Sequence, residues 1–192
     1  MMRTHFHFSI YFSLLVLCSV CCTSLNAQLP EWRRYEDSTL NFSLIFPEGV
    51  ILEPTDTIQT EIGLLERHHR IYNYPGDDDI SVFMISKVDY PIESIHHDSV
   101  GLVEDFLKAT IEEAVNSIDG ELLYQAPDEV LGFPGARWKI AYNKGTAVIQ
   151  SKAWITNHTY FTLTVVGKRD YSLSEKVEQF YKSFRFLKPP TE

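Results

Sequence analysis

The stretch that most constrains the fold runs from Ala136 to Gly167. Trp138, Ile140 and Tyr142 alternate with Arg137, Lys139 and Ala141, and Asn143-Lys144-Gly145 follows as a turn. Ala147, Ile149, Ala153 and Ile155 then share one face of a second strand. Asn157-His158 forms a two-residue turn, and Phe161, Leu163 and Val165 share one face of a third. Strict period-two alternation of β-branched and aromatic residues marks half-buried strands. Asn at the first turn position tolerates the positive φ that tight hairpins require. The stretch therefore predicts a three-strand antiparallel meander.

The rest of the chain must close around it. Pro30 to Ser38 reads as a lead-in carrying Trp32 and Tyr35. Leu40, Phe42, Leu44 and Phe46 alternate as a first strand ended by Pro47-Glu48-Gly49, and Ile51 to Gln59 is irregular around Pro54. Ile62 to Tyr74 and Ile80 to Val88 read as a long hairpin turning at Pro75-Gly76-Asp77-Asp78-Asp79. Apolar residues on both faces of the returning strand predict a sheet covered on both sides. Val100, Val103, Leu107, Ile111, Ala114 and Ile118 recur at three and four, the period of an amphipathic helix. Asp98 or Ser99 is its expected N-cap and Gly120 its stop. Glu121 to Tyr124 reads as a short strand, and Gly132-Phe133-Pro134-Gly135 as a turn into the meander. Ser172 to Glu175 fits a capping box opening a terminal helix, with Leu173, Val177, Phe180 and Phe184 as its apolar stripe. The elements predict an α+β fold: a single-domain α/β/α sandwich on a mostly antiparallel sheet, with a long mid-chain helix and a C-terminal helix.

Residues 1–27 read as a secretory signal. Arg3 precedes a mostly apolar run from Phe6 to Cys22, and Leu25-Asn26-Ala27 fits a small-residue cleavage site. The continuous apolar core, Ile10 to Val20, is shorter than the roughly 20 residues that span a membrane. The residues before Cys18, Cys21 and Cys22 are not the small ones expected ahead of a lipidated cysteine, so cleavage is favoured over a lipid or membrane anchor. A mature domain over residues 28–192 then contains no cysteine, which excludes a disulfide framework, a thiol nucleophile and thiolate metal sites. Such a domain must be held by its core, and one of this size buries about 70% of its unfolded surface. The formal charge of −9 offers no basic stripe for nucleic acid.

Candidate chemistry is sparse. His68 and His69 are adjacent on a strand and point to opposite faces. His96 and His97, beside Asp98 and near Glu93, are candidate metal ligands in a loop, but two ligand-type residues fall short of a tetrahedral site. Asp77, Asp78 and Asp79 are candidate calcium ligands, without the spacing of a calcium hand. No Gly-x-Ser-x-Gly or phosphate-binding glycine loop occurs. Trp154 shares a mixed strand face with Gln150 and Lys152. That face is either covered by a helix or is a partner-binding surface with those three residues at its centre.

The order of elements resembles the PsbP-like family. The carriers are the Phe-x-Leu-x-Phe-Pro strand ending at Pro47, Gly63 opening the long hairpin, the mid-chain helix, the meander, and the ending Phe180 to Phe184. The resemblance implies an α/β/α sandwich around an antiparallel sheet. It places the chain beside photosystem II extrinsic subunits, a nuclear import factor that binds a small GTPase, and DcrB-like bacterial exported proteins. Such proteins mostly bind other proteins rather than catalyse. The expectation is a secreted or periplasmic, non-catalytic domain without cofactor that binds a protein or envelope component. The alternative is a metal-dependent or hydrolytic enzyme using the His96-His97 region.

Overall fold

The computed structural model describes residues 31–74, 80–168 and 175–190, with only the backbone of Ile80 and Ser81. The apolar run and Leu25-Asn26-Ala27 lie outside these residues, as do the Asp77-Asp78-Asp79 turn and the capping Ser172.

The strands are β1 (Trp32–Asp37), β2 (Phe42–Pro47), β3 (Ile51–Leu52), β4 (Thr55–Thr60), β5 (Gly63–Asn73) and β6 (Ile80–Asp89). Helix α1 (Val100–Ser117) follows, then β7 (Glu121–Val130), β8 (Phe133–Tyr142), β9 (Ala147–Thr156) and β10 (Thr159–Lys168). Helix α2 (Glu175–Lys182) and β11 (Arg185–Phe186) close the chain. One eight-stranded sheet runs β3-β5-β6-β10-β9-β8-β7, with β4 also on β5; a three-stranded sheet runs β1-β2-β11. All pairings are antiparallel.

The meander forms as its alternation requires, and it is one strand longer than the sequence suggests. Glu121–Val130 pairs with β8 over its whole length, and Pro134 lies inside β8 rather than in a turn. Both prolines sit where the ladder has one neighbour. Pro127 is on the edge strand β7, and β8 meets β9 only from Gly135 onward. The true turn is Leu131-Gly132, both at positive φ (55° and 88°). Asn143 (φ 49°) and Asn157 (φ 50°) supply the same handedness in the next two turns.

The two faces of the large sheet bury different cores. Even residues of β9 and odd residues of β10 meet β2 and α2. There Phe42, Leu44, Phe46, Tyr72, Phe83, Trp154, Phe161, Phe180 and Phe184 form one cluster. The opposite face carries Val88, Trp138, Ile140, Ala153 and Ile155 beneath Val103, Leu107 and Ile111 of α1. Trp138 is buried between meander and helix, as its alternation predicts. The sandwich is therefore α1, large sheet, then a mixed layer of small sheet and α2. Within the lead-in expected at Pro30 to Ser38, Trp32–Asp37 is a strand of that layer, paired along β2.

The closing motif shows why its residues go together. Phe180 is wholly buried against Phe46 and Phe83, while Tyr181 donates its hydroxyl to the Gln150 carbonyl at 2.8 Å. The Ser183 hydroxyl accepts from the Ile45 amide at 2.9 Å, and the Phe184 ring lies 4.6 Å from that of Trp154. Phe184 falls just beyond the end of α2 rather than on it, and still extends the same apolar stripe. At the far end of α1 the left-handed residue is Asp119 (φ 50°), not Gly120. Gly120 donates to Val115 O and Asp119 to Asn116 O, which closes a Schellman turn. Gly120 is needed for closeness: a Cβ there would stand 2.5 Å from Ile140 Cγ2.

Candidate functional site

Strand direction gathers four connections at one end of the large sheet: Glu61-Ile62, Tyr90 to Ser99, Leu131-Gly132 and Asn157-His158. Most of the exposed aliphatic side chains collect there. Ile62, Leu64, Ile92, Val100, Leu102 and Leu131 lie in these turns or in the first turn of the element that follows. Ile92 is 74% exposed and Leu131 51%.

Two of these connections are pinned to each other. The Tyr90 amide donates to His158 O at 2.9 Å and the His97 amide to Asn157 O at 3.0 Å. The Asn157 amide returns a bond to His97 Nδ1 at 3.1 Å, and the His97 ring stands edge-on to Phe133 at 5.1 Å. Ile95 is buried beneath the loop as its anchor. Leu131 is the anomaly. A bulky residue at positive φ is disfavoured, and this turn ordinarily takes Asn, Asp or Gly at that place. The backbone holds an apolar side chain at the tip where sequence preference would put a polar one. Exposed Glu61, Asp89, Glu93, Asp98 and Glu129 surround these tips and make the end acidic.

The structure brings His96, His97 and Asp98 together, with one potential ligand atom from each within 4.8 Å of the others. Hydrogen bonding commits the His97 ring elsewhere. Nδ1 accepts from the Asn157 amide, so Nε2 carries the proton and donates to Asp98 Oδ1 at 3.2 Å. A metal at Nε2 would need that proton on Nδ1, against the amide. His97 thus pins the β6–α1 connection to the β9–β10 turn. Asp98 does not cap α1: Ser99 holds that position, without a side-chain bond. Asp77, Asp78 and Asp79 lie outside the described residues.

The partner-binding expectation for Trp154, Gln150 and Lys152 is corrected. Trp154 is fully buried, stacked at 5.5 Å on Phe161. Lys152 pairs with Asp128 at 3.1 Å, and the Gln150 carbonyl receives Tyr181. The face that looked mixed in sequence is covered by α2 and the small sheet. Its Lys152 is met from β7, and the main-chain oxygen of Gln150 from α2.

A second constellation escapes sequence reading altogether. His69 of β5 stands opposite Ser86 of β6, and Arg67 opposite Asp56 of β4. His69 Nε2 lies 3.2 Å from Asp56 Oδ1, and His69 Nδ1 lies 2.8 Å from Ser86 Oγ. Arg67 grips Asp56 through Nε at 2.9 Å and Nη2 at 2.6 Å, holding its carboxyl down at about 2. Burial pushes the His69 pKa below its ordinary value, so the ring stays neutral near pH 7. An ionised carboxylate only accepts, which puts the ring proton on Nε2 and leaves Nδ1 to accept from the Ser86 hydroxyl. No local motif marks this set, because cross-strand register alone assembles it.

Neither a family model nor a curated protein matches the chain. Among solved structures it is similar to cyanobacterial PsbP from Synechocystis, at 12% identity over 84% of this chain and 95% of that one, with a TM-score of 0.48. It is also similar to PA94, a protein of unknown function from Pseudomonas aeruginosa, at 10% identity over 84% and 99%, with a TM-score of 0.48. Among the described residues no helix is long and apolar enough to cross a membrane.

Proposed function

We propose that the protein is an exported, non-catalytic binding domain that engages a protein partner through the turn end of its large sheet. The observation that carries this reading is the exposed Leu131 at φ 55°, at the same end of the sheet as the exposed Ile92 and Val100, whose connection is held to the Asn157-His158 turn through His97. A pinned apolar surface loses little freedom on binding, which favours recognition. The acidic surround favours a partner that offers an apolar recess with a cationic rim. Export rests on the apolar run and the Leu25-Asn26-Ala27 site.

The test uses the full chain expressed in its native envelope. A double variant, Ile92→Ser with Leu131→Asn, should keep or raise its melting temperature and lose the partner that co-purifies with the unaltered protein. Retention of that partner at unchanged yield would refute the reading. Intact mass beginning at Gln28 supports the export half; a mass that retains the apolar run contradicts it.

A further inference from the structure

The Asp56–His69–Ser86 chain goes beyond the binding reading and stands apart from the turn end. We propose that Ser86 is a base-activated hydroxyl and the site of covalent acylation by small activated esters, with His69 as base and Asp56 as its positioning residue.

The argument is geometric. Side chains on one face of neighbouring strands meet in register, and here the register lines up a carboxylate, an imidazole and a hydroxyl in hydrogen-bonding order. Asp56 is fixed by two bonds from Arg67, so it fixes the ring in turn. The ring therefore presents a lone pair, not a proton, to Ser86 Oγ. That is the arrangement by which an imidazole takes the proton of an attacking serine, with the roles of its two nitrogens exchanged relative to the familiar triad.

Access is narrow. Helix α1 packs mainly on β8 and β9 and reaches β6 at Val88, two residues beyond Ser86. Ser86 is 6% exposed, and its neighbours on that face, Ile71, Met84 and Thr162, are only half-buried. A hydroxyl this buried, with half-buried neighbours, admits only a small acyl group.

In the step, Ser86 Oγ bonds to the carbonyl carbon while its proton passes to His69 Nδ1. The bond from that carbon to the leaving oxygen breaks, and His69 returns the proton to the departing phenolate or to water. Turnover should be slow for a structural reason. Strand β6 is paired on both sides, by β5 and β10, so its amides belong to the ladder and are not free to stabilise an oxyanion. A general base alone contributes about 10²–10⁴-fold. The result is one stable adduct per chain rather than a hydrolase.

The test treats the full chain with p-nitrophenyl acetate, counts the p-nitrophenolate released, and maps the acetyl group by peptide mass spectrometry. One equivalent at Ser86 is expected. Ser86→Ala should abolish that adduct, and His69→Gln should slow its formation about 100-fold. Asp56→Asn, at a half-exposed carboxylate, removes the positioning without a core change and should also slow it, with the melting temperature reported for each variant. Acetylation spread over lysines with Ser86 unmodified would overturn the proposal. So would Ser86 acetylation at an equal rate in folded His69→Gln. Neither result bears on the turn end, whose partner is read by co-purification.

Discussion

The aromatic layer between the two sheets and the turn end of the large sheet are both rich in apolar residues, and they differ in everything else. The first is built of rings at 4.6 to 6.3 Å from one another, on strands and α2, with Trp154, Phe42 and Phe180 wholly buried. The second is aliphatic and exposed, and is carried on turns, two of which are hydrogen-bonded to each other. In the first, apolar residues hold the fold together. In the second, the fold holds apolar residues out in solvent. Apolar content alone does not separate the two roles; backbone setting and burial do.

The strongest way to break this contrast is to remove a ring. Trp154→Ala or Phe180→Ala should each cost about 3–5 kcal/mol through lost transfer energy and a cavity. That is a large part of the roughly 5–15 kcal/mol available to a domain. Thermal unfolding should show a drop of many degrees for both, and a silent Phe180→Ala would mean that α2 is not docked.

Alkaline pH offers a gentler probe of the same layer. Burial, with help from a bond to Glu53, pushes the Tyr35 hydroxyl up to about 12, and burial raises Tyr72 and Tyr181 as well. A folded pKa above the unfolded value near 10 means that this contribution is complete below about pH 10. It is lost as pH rises toward 12. Melting temperatures between pH 9 and 12 should therefore fall, and Tyr35→Phe should flatten part of that fall. A profile identical to that of the unaltered chain would remove Tyr35 from the account.

At the turn end the expected sign reverses. Leu131→Asn replaces a bulky residue at positive φ by one that visits that region readily, and should stabilise by up to about 1 kcal/mol. Ile92→Ser, at an exposed site, should stay within about 0.5 kcal/mol. Denaturant midpoints measured at constant slope would check both. Destabilisation at Leu131 comparable to that at Trp154 would make the tip part of the core.

How much of this was legible follows from the range of the interactions. The meander could be read because period-two alternation is local, and Phe180 and Phe184 could be read because an apolar stripe at helical spacing is local too. Strand β7 looked short because Pro127 and the acidic residues near it argue against a strand, and only an edge position tolerates them. The setting of Trp154 stayed open in sequence because its neighbours Lys152 and Gln150 suggest solvent, whereas Asp128, distant in sequence, pairs with Lys152, and Tyr181 of α2 covers Gln150 by bonding its main-chain oxygen. The Asp56–His69–Ser86 chain was out of reach for the same reason: separations of 13 and 17 residues become contacts only through strand register. The loop histidines were visible in sequence. What they do was not, since the bond from Asn157 that fixes the His97 ring comes from another turn.

The most direct test of the claim that the turn end is the binding surface compares two exposed positions at opposite ends of the large sheet. A photo-crosslinking amino acid is placed at Leu131 in one sample and at Leu122, near the start of β7, in another. Both proteins are irradiated in the native envelope and resolved by mass. The account predicts one discrete crosslinked species from position 131 and none from position 122. Crosslinking of equal strength from both positions, or from 122 alone, would contradict it.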